Sequence, residues 1–230
     1  MCDLDNTLLP IITQKEFAHL WFRDVAKKFH EHGIEQSRGL NAMNDGCRAM
    51  LFNDGSALNS EAFYHIAVPL SGCTREQLDL ALFDYYNDTF SNVREISRPN
   101  PYAPEIARLM RAHARYAVIA TMPLFPLEAC DSRMRWVGLR ADMFDFVTSY
   151  DVSSYCKPNP LYYQEILDRF GAKPEETLMI GNDVREDMIP CEKLGIDTFL
   201  VTDHIIDHDL DYTRFRQGSY PDLIEYLKTV

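Results

Sequence analysis

The chain has 230 residues, enough for one large domain or for a core with a smaller insert. Its 46% hydrophobic content, 12 prolines and 10 glycines are those of an ordinary globular protein. A net charge of −12 and the lack of any basic run argue against nucleic acid, which is bound through clustered Lys and Arg. The longest apolar run, Ala117 to Leu127, is broken by Thr121, Pro123 and Pro126 and falls short of the ~20 residues of a spanning helix. Asp3 and Asp5 stand where a secretory leader would need positive charge and then an apolar stretch. Cys2, Cys47, Cys73, Cys130, Cys156 and Cys191 form no C-x-x-C pair and read as reduced thiols. The expectation is a soluble cytoplasmic protein with no membrane or nucleic-acid partner.

In chain order, a very short apolar segment ends at Asp3, and residues 11 to 98 then read as helix after helix. Thr13 and Glu16 have capping-box spacing ahead of Phe17, Trp21, Val25 and Phe29, which recur every four residues until Gly33. Further helical stretches are expected over Ser37–Phe52 and Ser60–Ala67. Thr74 and Gln77 form a second capping box ahead of Leu78, Leu82, Tyr85 and Tyr86. Nothing in this segment alternates with period two, so it is expected to be an all-helical subdomain.

From Pro99 the pattern changes to helix Pro104–His113, strand Tyr116–Thr121, helix Pro126–Val137 and strand Phe146–Tyr150. Helix Pro160–Phe170, strand Leu178–Ile180, helix Asp187–Leu194, strand Thr198–Val201 and helix Pro221–Lys228 follow. Strands alternating with such helices predict an α/β fold with a doubly wound parallel sheet, whose ligands bind beyond the carboxyl ends of the strands. The division is a core of residues 1–10 and 99–230 and a helical insert of residues 11–98.

Chemistry-bearing residues fall at those strand ends. Asp3 and Asp5 are two apart, so at strand spacing both carboxylates converge on one volume, with Thr7 two residues on. Thr121 closes an apolar strand, where its hydroxyl and the next amide could donate to a phosphate oxygen. Lys157 precedes Pro158, which biases it to extended backbone, and Asn159-Pro160 reads as a helix start, a good setting for a dianion. Asp183 and Asp187 are one helical turn apart, on one face. Four such carboxylates crowded together raise each other's pKa values unless a cation neutralises them, and magnesium suits an all-oxygen set.

The order D3-L-D5-N-T7, T121, K157-P and G-N-D183-V-R-E-D187 resembles the haloacid dehalogenase superfamily of hydrolases. The resemblance implies a Rossmann-like core with a mobile helical cap, acting on small phosphorylated metabolites as a magnesium-dependent phosphatase. By it, Asp3 is the nucleophile that becomes an aspartyl-phosphate. Asp5 is the acid and base, Thr121 and Met122 bind the phosphate, and Lys157 holds nucleophile and phosphate together. Magnesium falls to Asp3, the Asp5 carbonyl, Asp183 and Asp187. Asp5 points away from carbon–halogen cleavage, since the dehalogenase branch lacks that second acid. The chain departs from the family at Met122-Pro123, where proline has no N–H to offer, and at Asn182, where many relatives carry an acid.

A phosphomutase resembling β-phosphoglucomutase and a catalytically idle binding protein are the alternatives on the same fold. Arg23, Arg38, Asn41, Asn44, Arg48 and His65 are the insert's polar candidates for substrate contact, and the insert is expected to hinge near Leu9–Thr13 and Arg98–Pro101. His204 and His208 have the spacing of a helical zinc pair. Only Met1 and Cys2 precede Asp3, whereas central strands run ~5–6 residues, so the natural start is expected to lie upstream of Met1.

Overall fold

The computed structural model describes residues 1–11 and 13–230. Its described strands are β1 (Val118–Ile119), β2 (Phe146–Val147), β3 (Leu178–Gly181), β4 (Asp197–Val201) and β5 (Gln217–Gly218). All pair in parallel, and Cys2 bridges β1 and β3, giving the order β2-β1-Cys2-β3-β4-β5. The N-terminal segment is thus the central strand. Cys2 N donates to the Val118 carbonyl at 2.8 Å, and Asp3 N to that of Ile180 at 2.9 Å.

Strand alternation sends neighbouring side chains to opposite faces. Ile119, Ile180 and Phe199 pack with α5 (Ala103–His113), α6 (Leu127–Arg135) and α9 (Tyr220–Leu227). Val118, Ala120 and Met179 pack with α7 (Pro160–Phe170) and α8 (Ile189–Leu194). Helices cover both faces, and the sheet is doubly wound.

The expected strands Tyr116–Thr121 and Phe146–Tyr150 shorten at their carboxyl ends because side chains and loops take over the main-chain partners. The Thr121 carbonyl accepts from the Thr148 and Tyr162 hydroxyls at 2.7 and 2.8 Å, and Tyr150 N donates to the Phe125 carbonyl at 3.0 Å. The helix expected over Asp187–Leu194 instead opens as a wide turn, Val184–Met188, before α8. Pro190 has no N–H to continue the ladder, and the Glu186 carbonyl accepts from the Tyr163 hydroxyl at 2.8 Å. Strand β5 had no sequence signal because two residues, Gln and Gly, carry no alternation.

The insert holds α1 (Gln14–Glu31), α2 (Gln36–Leu51), α3 (Asn59–Ser71), α4 (Arg75–Asp84), a wide turn Tyr85–Thr89 and a 3-10 segment Phe90–Ile96. Thr74 and Gln77 close the capping box of α4. Thr13 caps α1 from its hydroxyl, but Glu16 binds that hydroxyl rather than the Thr13 N–H, so this box closes on one side. Trp21, Val25 and Phe29 are buried, and a Cβ at Gly46 would overlap the Phe63 ring, so that glycine sets how closely α2 and α3 approach. The two connections to the core lie side by side: Ile11 pairs antiparallel with Ser97, and Arg98 N donates to the Pro10 carbonyl at 2.9 Å. Ile12, within the expected first hinge, lies outside the described residues. The insert's apolar cluster continues into the core through Ala129 and Cys156, with Met122, Leu124 and Phe125 packed against it.

Candidate active site

Asp3 leaves the sheet at its carboxyl edge, and a tight turn follows, with Asn6 at φ 63° and the Leu4 carbonyl accepting from Thr7, Leu8 and Leu9. Asparagine tolerates that left-handed backbone better than most residues. The turn folds Thr7 back, so that its hydroxyl lies 3.0 Å from Asp3 Oδ2 and 2.9 Å from Asn182 Oδ1. Lys157 Nζ bridges Asp3 Oδ1 at 2.8 Å and Asp187 Oδ1 at 2.7 Å, and all three side chains are buried. Asp187 Oδ2 accepts the N–H groups of Asn182 and Asp183 at 3.1 Å each. A Cβ at position 181 would run into that carboxylate, which accounts for Gly181 at the end of β3.

Asp183 caps the next turn: its Oδ1 accepts from Arg185 N and Glu186 N at 2.9 and 2.8 Å. Its Oδ2 lies 2.8 Å from His208 Nε2. His208 therefore sits against Asp183 and is not half of a helical pair with His204. The segment after β4 is irregular, with His208 and Asp209 at positive φ, and His204 offers its carbonyl to Asn182. Asp5 lines the same cavity as Asp3, and Arg133 bonds its Oδ2. Thr121 is fully buried with its hydroxyl unpartnered, and Met122 lines the cavity.

Asp3, Asp5, Lys157, Asn182, Asp183 and Asp187 floor a cavity of about 420 Å³ between sheet edge and insert, while Thr121 and His208 are not among its lining residues. Its upper wall is Ile11, Phe17, Trp21 and Phe22, with Leu124 and Phe125 from the core. Of the insert's polar candidates only Asn44 lines it. Arg23 pairs with Asp24 at 2.8 Å, Arg38 reaches the Leu70 carbonyl, and Arg48 lies over Phe52. A second cavity of about 400 Å³ opens at the opposite ends of the strands and contains none of the motif residues.

The profile of the haloacid dehalogenase-like hydrolases matches residues 1–195. The chain belongs to that family. A glyceraldehyde 3-phosphate phosphatase from Methanothermobacter thermautotrophicus is 33% identical over 69 residues, 30% of each chain. The pyrophosphatase PpaX of Halalkalibacterium halodurans is 31% identical over 90 residues, 36% of this chain and 40% of that protein. This chain thus spans well under half of either relative. A further glyceraldehyde 3-phosphate phosphatase, from Methanocaldococcus jannaschii, is 23% identical over 99% of this chain and 96% of its own. Among solved structures, a phosphatase of the family from Thermococcus onnurineus superposes with a TM-score of 0.57 at 16% identity, covering 98% of this chain and 95% of that one. YfnB from Bacillus subtilis, bound to magnesium, gives 0.54 at 17% identity, over 98% and 96%. These two likenesses establish the shared haloacid dehalogenase fold.

In this member of the family, burial pushes the Asp3 carboxyl up to about 7; Lys157 pulls it down while Asp187 and Asp5 add to the rise. Burial opposes the charge of Lys157, yet Asp187 and Asp3 outweigh it and hold the ammonium well above its ordinary value. Glu186 is likewise raised, by burial and then by Asp183. Asp3, Asp5, Asp183, Glu186 and Asp187 line the cavity against Lys157 and Arg133, an excess of negative charge that a cation would correct. Among the described residues no three carboxylate, thiol or imidazole side chains gather closely enough to enclose a metal unaided. The donor set still fits a hard divalent ion that keeps several waters. Asp3 and Asp183 offer carboxylate oxygens, and no described donor bonds the Asp5 carbonyl. Both oxygens of Asp3, of Asp183 and of Asp187 already have protein partners, so an ion bound by any of the three displaces or shares one.

Sequence reading missed Arg133, although a signal was present. Cys130, Met134 and Val137 form the buried stripe of α6 and its exit, and Arg133 is the one charge within it. His208 was singled out for its spacing from His204, but its contact with Asp183 had no signal, because an irregular loop has no period.

Proposed function

We propose that the protein is a magnesium-dependent phosphatase of a small phosphorylated metabolite, working through an aspartyl-phosphate on Asp3. The observation that carries this reading is the buried Asp3–Lys157–Asp187 bridge at the carboxyl edge of the sheet, opening on the cavity beneath the cap. Lys157 fixes the Asp3 carboxylate for attack on phosphorus, and Asp187 fixes Lys157. Asp5 protonates the leaving oxygen and afterwards takes the proton of the water that releases phosphate. Magnesium, held by Asp3, the Asp5 carbonyl and Asp183, supplies positive charge beside the phosphoryl group when bound. The Thr121 hydroxyl is a buried donor still free for a phosphate oxygen.

Residues 11–98 act as a cap that swings on the paired linkers at Pro10–Ile11 and Ser97–Arg98 and excludes water during the reaction. The relatives named above act on small phosphorylated compounds, which supports the substrate class. The rings of Phe17, Trp21 and Phe22 favour esters whose alcohol has an apolar face over heavily hydroxylated ones.

A screen of aryl phosphates, sugar phosphates and short phosphorylated acids with and without magnesium tests the reading. Release of phosphate that requires the metal and disappears in Asp3→Asn, with the fold intact by circular dichroism, is expected. Undiminished turnover in Asp3→Asn would remove the nucleophile assignment.

A further inference from the structure

Arg133 is 1% exposed and sits in the apolar stripe of α6. A guanidinium buried so far costs several kcal/mol unless it is paired, and a well-packed apolar side chain of similar volume is often no worse for stability. Among the described residues Asp5 is the one carboxylate it meets. Its remaining contacts are the Ala129 carbonyl at 3.3 Å from Nε and the Cys130 sulfur at 3.4 Å from Nη2. The guanidinium carbon lies 4.8 Å from the centre of the Phe125 ring. That ring in turn meets Phe17 and Trp21 of the cap, with centroids 5.8 and 5.7 Å away. Asp5 is held through Oδ2, while its Oδ1 is buried and has no partner, so the Arg133 contact is the one described bond that fixes the carboxylate.

We propose that Arg133 is a positioning residue for Asp5: it clamps the carboxylate through Oδ2, fixes its rotation at the cavity wall, and is itself set by the cap through Phe125. The proposal rests on the reading of Asp5 as proton donor. A freely rotating Asp5 would spend much of its time off the line to the leaving group, and small misplacements of reacting groups are costly. An arginine suits the task because its planar fork holds a carboxylate and stacks on a ring at the same time.

The test is a double-mutant cycle of Arg133→Met and Asp5→Asn, read as kcat and KM on alkyl and aryl phosphates. Arg133→Met alone should lower kcat on the alkyl ester by about 10- to 100-fold, a share of the ~10²–10⁴ that general acid–base catalysis supplies. KM should stay within about twofold. In the Asp5→Asn background the same change should cost less than about twofold, because the group it serves is gone. Arg133→Lys, which keeps charge and most of the volume, gives the second arm if the methionine variant does not fold, with the same pattern expected. Equal losses with and without Asp5 would overturn the proposal and make Arg133 a structural residue. Full activity in Asp5→Asn alone would instead overturn the role of Asp5, a failure visible separately.

Discussion

On the floor of the cavity Lys157 lies 2.8 and 2.7 Å from two carboxylates, and Asp187 also takes two main-chain N–H groups. On the roof Phe17, Trp21 and Phe22 present rings, and Asn44 is the polar side chain the cap contributes. Floor contacts are directional, and Lys157, Asp3 and Asp187 have described partners at every charged atom, so a lost partner leaves a buried charge. Roof contacts are non-directional and can be exchanged between rings at modest cost. On the proposed function, the chemistry rests on the first kind of contact and selectivity among alcohols on the second.

Removing the central cation should therefore do the most damage. Lys157→Met leaves Asp3 and Asp187 buried without their ammonium, a change expected to cost ~3–5 kcal/mol of stability and essentially all turnover. Urea unfolding beside a phosphate-release assay checks both. A stable and active variant would break the contrast between floor and roof.

The floor also predicts a pH dependence. Burial, partly offset by Lys157, raises the Asp3 carboxyl from its usual 3.8 to about 7 in the folded state. A carboxyl with a raised folded-state value favours folding while it is protonated, and that contribution is lost as pH rises from about 4 through 7. The melting temperature of the metal-free protein should fall across that window, and Asp3→Asn should flatten the fall. Magnesium, by favouring the carboxylate, should stabilise more at pH 8 than at pH 5. An unchanged slope in Asp3→Asn would assign the effect to other groups, Glu186 first among them.

Changing the roof should act on affinity. Phe22 lines the cavity and packs on Trp21 with centroids 4.8 Å apart. Phe22→Ala should raise KM for an aryl phosphate about tenfold, the order of one lost apolar contact, with kcat within a few-fold and phosphorylated polyols hardly affected. Steady-state kinetics on the two substrates decide it, and a fall confined to kcat would give the ring a place in the chemistry.

The same contrast governs what could be read from the chain. Asp3, Lys157 and Asp187 were picked out by their order along the chain and its resemblance to the family, and the structure brings the three together; the alternation of strands and helices carried the doubly wound sheet. The short strands, by contrast, end where tertiary partners intervene, as Tyr162 and Thr148 do at the Thr121 carbonyl. The roof was not legible, since which of the cap's polar residues faces the cavity depends on how α1 and α2 pack. Asn44 does so, while Arg23 and Arg48 are drawn to Asp24 and Phe52.

His208 stands behind the floor, against Asp183, and its effect should be the smallest. Asp183 Oδ1 already accepts two main-chain N–H groups, and the imidazole Nε2 lies 3.0 Å from Oδ1 and 2.8 Å from Oδ2, which has no other described partner. If Asp183 holds magnesium as proposed, the ion takes Oδ2 and the imidazole turns aside when it binds. Its loop is irregular and its φ of 54° lies in the left-handed region, where histidine is more common than most residues. Giving up one such hydrogen bond costs ~1 kcal/mol, about fivefold in affinity. His208→Ala should accordingly tighten magnesium binding about fivefold by isothermal titration calorimetry, with Asp3→Asn as the control that weakens it. If binding weakened in His208→Ala instead, the imidazole would be orienting the carboxylate for the ion rather than competing with it, and His208 would join Lys157 and Asp187 as a fixed part of the floor.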